Sequence, residues 1–288
     1  MLYIFTAAYH EASAWIAYFQ LKKDTKQTRF QTFYNEKADI CLTVTGVGML
    51  SAAAAVSSIC TANGAGKGDC LINAGICAAA RGGQEAEGEL FLCHKITDLT
   101  TEKTFYPDLL YRHDFCEAEL VTGAKPFVLS ERSPLSGFTE EAEKLLLYDM
   151  EAAAVYQAGS YFFAPHQMGF LKIVSDHGET AAVTPEQVKR FMDLHIGAMA
   201  GFANMLREAG REEEQGDFGA ESLVRQLCRD IYGSVSMEAS LRQHIRYCAL
   251  AGMDYEGRIQ GMYRENRLPC RNKREGKRCF EELKRRLL

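Results

Sequence analysis

The sequence predicts an α/β fold followed by a small helical module. Short runs rich in Ile, Leu and Val at Leu2 to Ala7, Ile40 to Thr45 and Cys70 to Asn73 each lead into small residues and then a helical pattern, as in a sheet covered by helices. A charged, Gly-punctuated stretch over residues 210–219 has the composition of a linker. Beyond it, Leu223, Leu227, Ile231, Met237, Leu241, Ile245, Tyr255, Ile259 and Tyr263 recur at helical spacing, enough for three or four short helices. The expected organisation is therefore a domain over 1–209, a linker over 210–219 and a helical module over 220–288.

Taken in order, the first run is a strand, and the helix after it is expected over about Glu11 to Lys22, with Trp15, Tyr18 and Phe19 on an inward stripe. A second helix starts near Met49; its Ala content lets it lie close against the sheet. From about Leu90 to Val128 the pattern is strand-like with turn residues, and Phe105-Tyr106-Pro107-Asp108 belongs to an extended loop. Thr139 then caps a helix whose first turn holds Glu140 and Glu141, where the helix dipole favours negative charge. Asp149 to Gly159 reads as a further helix and Gly169 to Ser175 as a buried strand. In Thr184-Pro185-Glu186-Gln187 a Thr cap, Pro at the first helical position and Gln three residues after the cap open a long helix, expected to run to about Ala209.

With 47% hydrophobic and 25% charged residues over 288 positions, the chain can bury a substantial core, which excludes wholesale disorder. Its longest apolar run, about Met49 to Ile59, falls short of the ~20 residues a membrane span needs. Met1 to Thr6 reads as a strand with no basic segment before it, so no secretory signal is expected and the cytosol is the expected compartment. The ten cysteines include no C-x-x-C pair, and Cys93-His94 has no second half at metal-ligand spacing; buried reduced thiols are expected, with neither metal nor cofactor. The net charge of −5 is uneven, because residues 264–288 hold ten Lys and Arg against four Glu.

Familiar nucleotide motifs fail on inspection. Gly64-Ala65-Gly66-Lys67 lacks the first Gly of a phosphate loop, Thr61 standing there, and Gly68 replaces the hydroxyl that would hold magnesium. Gly46-Val47-Gly48 lacks the third Gly of a dinucleotide fingerprint, since position 51 is Ser. What survives is physical: a strand ending in Gly-x-Gly lets the backbone approach a ligand at the carboxyl edge of the sheet. Four such strand ends or helix starts carry polar groups, at Glu11, Gly46 to Gly48, Asp149-Met150-Glu151 and Ser175-Asp176.

In that order, Thr45-Gly46-Val47-Gly48 with its Ala-rich helix, Leu71-Ile72-Asn73-Ala74-Gly75, Asp149-Met150-Glu151-Ala152-Ala153-Ala154-Val155 and Lys172-Ile173-Val174-Ser175-Asp176 resemble the nucleoside phosphorylase superfamily. The resemblance covers roughly residues 1–209. Within the superfamily it is strongest to the methylthioadenosine/S-adenosylhomocysteine nucleosidases and the related futalosine hydrolases. It implies a three-layer nucleoside-phosphorylase-like fold with a central mixed sheet, and hydrolysis of the N-glycosidic bond of a purine nucleoside, adenosine-like and modified at the 5′ position.

The resemblance also implies roles for individual residues. Asp176 would protonate N7 of the departing purine, with Ser175 orienting it, and Glu11 would activate water against C1′. Glu151, with Gly48 and the backbone of Met150, would bind the ribose side, an ionised carboxylate being a suitable acceptor for two hydroxyls. Asp149 and Lys172 stand where nucleosidases carry an acid and an Arg near the water, and Lys loses the fixed guanidinium fork. Tyr106 would close the 5′ pocket of a neighbouring subunit in a homodimer. Blander readings stand beside these: Glu11, Asp149 and Glu151 as first-turn acids, Asp176 as a turn residue, Tyr106 as a loop anchor.

Two rival functions stay open, a phosphate-dependent phosphorylase using Arg81 or Arg132, and a non-catalytic binding or scaffold protein on the same fold. The basic tail suits a protein partner. With few aromatics beyond Tyr263 and Phe280, nucleic acid is not the expected one.

Overall fold

The structure, a computed structural model, describes residues 1–25, 29–66, 68–82, 86–110, 112–128, 145–178, 183–250 and 252–287. It divides into two compact units, Met1–Arg211 and Glu212–Leu288.

In the first unit the elements follow as β1 (Leu2–Thr6), α1 (Tyr9–Tyr18), β2 (Lys22–Lys23), β3 (Gln31–Asn35), β4 (Ile40–Val44), α2 (Met49–Asn63), β5 (Cys70–Arg81), β6 (Leu90–Asp98), β7 (Thr104–Phe105), β8 (Cys116–Thr122), β9 (Leu146–Asp149), α3 (Ala152–Gly159), β10 (Met168–Asp176) and the start of α4 (Pro185–Asp230). The ten strands form one mixed sheet. One part is open, in the order β5-β1-β4-β3-β2. The other closes on itself, because β10 pairs with both β5 and β6 while β6-β8-β9-β5 completes the ring.

The alternation of side chains along the strands builds a core on each face. From β1, Tyr3 and Phe5 join α2 and α3, whereas Leu2 and Ile4 join α1 and α4. From β10, Phe170 and Val174 take the first side and Leu171 and Ile173 the second. The buried faces of α2 and α3 are rich in alanine, Ala52 and Ala55 on one and Ala152, Ala153 and Ala154 on the other, which brings their backbones close to the sheet. This is the three-layer α/β architecture expected, a mixed sheet between two helical layers.

Several boundaries differ from expectation, and in the sheet region a long-range contact decides them. The helix expected over Glu11 to Lys22 ends at Tyr18, where Gln20 at φ +51° turns the chain and Lys22–Lys23 pairs with β3. Trp15 is buried, but Tyr18, the last residue of that helix, is 50% exposed. Asp149 ends a strand instead of starting a helix, since Leu146–Asp149 pairs with both β5 and β8. The strand expected at Cys70 to Asn73 runs to Arg81, held by β10 on one edge. The helix expected to stop near Ala209 continues to Asp230. The helix expected after Thr139 lies outside the described residues, as does Arg132.

In the second unit the end of α4, α5 (Val235–Leu250), α6 (Tyr255–Arg264) and α7 (Lys273–Leu287) enclose a core of their own, with Leu227, Ile231, Leu241, Ile245, Ile259 and Leu283 at its centre. The stripe read from the sequence supplies Leu227, Ile231, Leu241, Ile245 and Ile259; the rest, from Val224 to the α7 residues Cys279, Phe280, Leu283 and Leu287, lies outside it. Gly276 of α7 packs against the turn that follows α4, where an added Cβ would lie 1.8 Å from the carbonyl oxygen of Ile231. Backbone cannot yield as a side chain can, so Gly276→Ala is expected to destabilise this unit by about 1–3 kcal/mol. Hydrogen exchange checks it: protection should fall in α5 to α7 while the amides of β1, β5 and β10 keep theirs.

Candidate functional site

The site is built around a change of partner along one edge of β5. Its other edge is taken by β10 from Leu71 to Ala78. On the near edge β1 pairs with Cys70 to Asn73, and β9 with Ala78 to Arg81. Between them residues 74–77 have no strand beside them, so their backbone groups need another partner. The Glu11 carboxylate supplies it: Oε1 accepts from the amide of Ile76 at 2.9 Å, and Oε2 from the amide of Ala8 at 2.9 Å. Glu11 is at the third position of α1, so the bond to Ala8 also caps the helix, as the structural reading of a first-turn acid requires. The bond to Ile76 has no such reason. Gly75 makes the room, for a Cβ there would lie 2.4 Å from Glu11 Oε1.

Two further sequence candidates, Glu151 and Lys172, lie close enough to interact electrostatically with this carboxylate, and Gly48 and Asp149 hold them. Glu151, the residue before α3, accepts from the amide of Gly48 at 2.8 Å through Oε1. Gly48 adopts φ +101° and Gly46 φ +83°, conformations that glycine takes without a Cβ penalty; the Gly46 amide donates to the Ala7 carbonyl at 3.1 Å, and the Gly48 amide is the one that turns to Glu151. Lys172 on β10 is 2% exposed, and its Nζ lies 2.8 Å from Asp149 Oδ2. Asp149 is otherwise consumed by the fold: Oδ1 accepts from Thr122 Oγ1 at 2.7 Å and Oδ2 from the Ala152 amide at 2.9 Å. Thr122 in turn accepts from the Ala153 amide at 3.0 Å, so this pair anchors the start of α3 and with it Glu151. Asp149 and Lys172 thus have an internal, positioning geometry.

Asp176 lies at the end of β10 opposite Ala78, two positions along β5 from the amide that holds Glu11, a rise of about 7 Å. Its Oδ1 accepts from the Gly178 amide at 2.8 Å, and Ser175 Oγ is 2.8 Å from Oδ2 and 3.1 Å from the Cys77 carbonyl. The Ser175 hydroxyl has one proton for these two acceptors. Met150 is half-buried between Asp149 and Glu151. Tyr106 stands apart: it is 58% exposed, and its carbonyl accepts from Tyr156 Oη at 3.3 Å. Thr122 and Gly75 complete the site. Thr122 escaped sequence reading because only the β8–β9 register brings it to Asp149.

The electrostatics follow from burial. Glu11, Glu151 and Asp149 surround one cation, Lys172, in a largely dry interior. Desolvation, then the neighbouring Asp149 charge, pushes Glu151 up to about 7, against relief from Lys172 and the Gly48 amide. Burial likewise raises Glu11 above the usual carboxylate range, partly offset by its two amide donors. Burial opposes the charge on Lys172, but Asp149 and Glu151 outweigh it and raise that ammonium. Such a crevice holds more negative charge than its one cation balances, and so favours positive charge developing on a guest.

Among the described residues no cluster of His, Cys, Asp and Glu is arranged to hold a metal ion, and no helix is long and apolar enough to cross a membrane. Eight of the ten cysteines are buried, and burial drives the thiol of Cys41 up to about 11 and that of Cys93 to about 12.

A mixed sheet of this order, flanked by α1 and α4 on one side and α2 and α3 on the other, has the nucleoside-phosphorylase-like fold. No protein-family model matches the sequence, and no curated protein does. Solved structures do. The chain is similar to the apo 5′-methylthioadenosine nucleosidase of Arabidopsis thaliana, at 20% identity and TM-score 0.58 over 71% of this chain and 95% of that one. It is similar to the 5′-methylthioadenosine/S-adenosylhomocysteine nucleosidase of S. pneumoniae, solved with a transition-state inhibitor, at 16% identity and TM-score 0.56 over 72% and 98%. It is also similar to the futalosine hydrolase of Helicobacter pylori strain 26695, at 14% identity and TM-score 0.51 over 72% and 97%.

Two outcomes test this geometry. Gly75→Ala is expected to displace Glu11 and strand the Ile76 and Ala8 amides, at about 1–3 kcal/mol in urea denaturation. Because Glu151 sits near 7 folded and in the ordinary carboxylate range unfolded, the folded state holds the extra proton between those values, so stability falls as pH rises through that window. Glu151→Gln should flatten this fall, on the order of 3 kcal/mol, in melts recorded across the window.

Proposed function

We propose that the first unit hydrolyses the N-glycosidic bond of a purine nucleoside, adenosine-like and modified at the 5′ position, releasing free base and sugar. The observation that carries the reading is the Glu11 carboxylate held between the Ile76 and Ala8 amides, in a crevice shared with Glu151 and beside Asp176. Breaking such a bond develops positive charge on the sugar, needs a proton for the leaving base and needs water at C1′. The excess negative charge around Lys172 suits the first requirement. Asp176, when protonated, can give its proton to N7, and the Ser175 hydroxyl fixes its orientation. Glu11, ionised, can take a proton from water attacking C1′, each oxygen keeping a lone pair beyond its amide bond. Glu151 at the Gly48 turn is placed to accept from the ribose hydroxyls.

Hydrolysis is favoured over phosphorolysis by the cations. A phosphate dianion needs donors of its own, and Lys172, the cation within this crevice among the described residues, is already engaged by Asp149. The likeness to nucleosidases and a futalosine hydrolase supports the same reading at the level of fold. Exposed Tyr106 is free to reach the 5′ side of a partner's site in a homodimer, in which case light scattering should find a dimer.

The test is release of free base from 5′-modified adenosines, futalosine and inosine, each with and without phosphate. We expect release without phosphate; release only with it would make the protein a phosphorylase, and silence would favour a binding protein. Asp176→Asn and Glu11→Gln should each lower turnover by at least ~10². Because Glu11 must be ionised and its carboxyl is raised, kcat/KM should fall as pH drops through that raised value.

A further inference from the structure

The basic character of the C-terminal end divides into two unlike halves. Toward the end of α7, Arg286 bonds Glu265 and Glu282, Arg267 meets Glu282, and Lys284 lies 2.9 Å from Glu281. Most of that half is neutralised; among the described residues Arg285 there bonds only the Glu281 carbonyl. Toward the start of α7 the picture reverses: Arg229, Arg271, Lys273, Arg274, Lys277 and Arg278 are exposed and, among the described residues, have no carboxylate partner. The nearby acids are occupied, Glu238 by Arg242 at 2.8 Å and Glu275 by the Arg271 amide at 2.8 Å.

These cations share one surface. Arg229 and Lys273 line an open groove of about 530 Å³ with Arg225, Cys228, Tyr232, Gly233 and one acid, Glu238, which Arg242 pairs. From Lys273 the exposed face of α7 carries Lys277 four residues and about 6 Å further along the axis, with Arg274 and Arg278 beside them. The buried side of the same helix is Gly276, Cys279, Phe280 and Leu283, so packing fixes which way the charges face.

We propose that this surface binds the phosphate backbone of a nucleic acid, without sequence preference. A row of unpaired cations dominated by arginine matches phosphates at repeated spacing, and the half-exposed Tyr232 ring in the groove can take a base against its face. A protein-binding surface needs an apolar centre; among the described residues of this unit the exposed large apolar side chains are Tyr232 and Tyr247, and Tyr232 alone lies in the groove. Interfaces to nucleic acid are by contrast polar and strongly positive. The scarcity of aromatics argues against reading bases, and backbone binding does not require it.

The test is fluorescence anisotropy of the full chain with a labelled single-stranded RNA and a DNA duplex, each about twenty nucleotides long, between ~50 and ~200 mM salt. We expect binding at low salt to at least one of them, weakening with a log–log slope steeper than about −2, as several released counterions require. Lys273→Glu with Lys277→Glu should weaken it at least tenfold, and the milder Lys273→Gln with Lys277→Gln severalfold should the reversal disturb folding. Lys37→Glu with Lys103→Glu, the same charge change in the first unit, should cost far less. Absence of binding, equal loss in both double variants, indifference to the α7 changes, or displacement by polyglutamate as effective as by unlabelled RNA would overturn the proposal.

Discussion

A strand with two successive partners on one edge is the constraint on which the site depends. β5 is paired by β1 at its start and by β9 at its end, and the gap between them exposes buried amides that must find acceptors. A carboxylate is the strongest acceptor available for such a gap, and Glu11 reaches it because only Ala7 and Ala8 separate β1 from α1. Sheet closure and site formation are thus one event. The strand that makes the ring, β10, also delivers Lys172 to the interior and Asp176 to the edge of the crevice.

Burying an acid this way is costly, and the structure spreads the cost over a network. Lys172 balances Asp149, Thr122 and the Ala152 amide complete Asp149, and the start of α3 then presents Glu151 to Gly48. Removing any one member leaves a buried group without its partner, which costs more than the bond itself is worth. What remains uncompensated is negative charge shared by Glu11 and Glu151, both raised toward neutrality. A guest developing positive charge would relieve that strain, which ties the stability of the crevice to the chemistry proposed for it.

The second unit obeys a different economy, with a small apolar core and a surface whose charges are partly cancelled. Ion pairs at the end of α7 are exposed and contribute little stability, but they remove those residues from the long-range field. The unpaired cations at its start keep theirs. Local pairing, more than net charge, sets where a polyanion would meet this chain.

The sequence by itself determined the alternation of strands and helices, the apolar stripes of the C-terminal helices, and the polar residues at strand ends, because these depend on periodicity and local turn chemistry. Gly46, Gly48 and the Thr184-Pro185 cap are legible for the same reason. The tertiary structure decided what depends on register between distant segments: that Asp149 ends a strand, that β5 runs to Arg81, that Thr122 meets Asp149, and that Gly75 faces Glu11. It also decided which cations of the basic tail find carboxylates, since Arg286 meets Glu265 across a turn that no spacing rule anticipates. Strand pairing and ion pairing join residues far apart in the chain, and only the closed fold brings them within bonding distance.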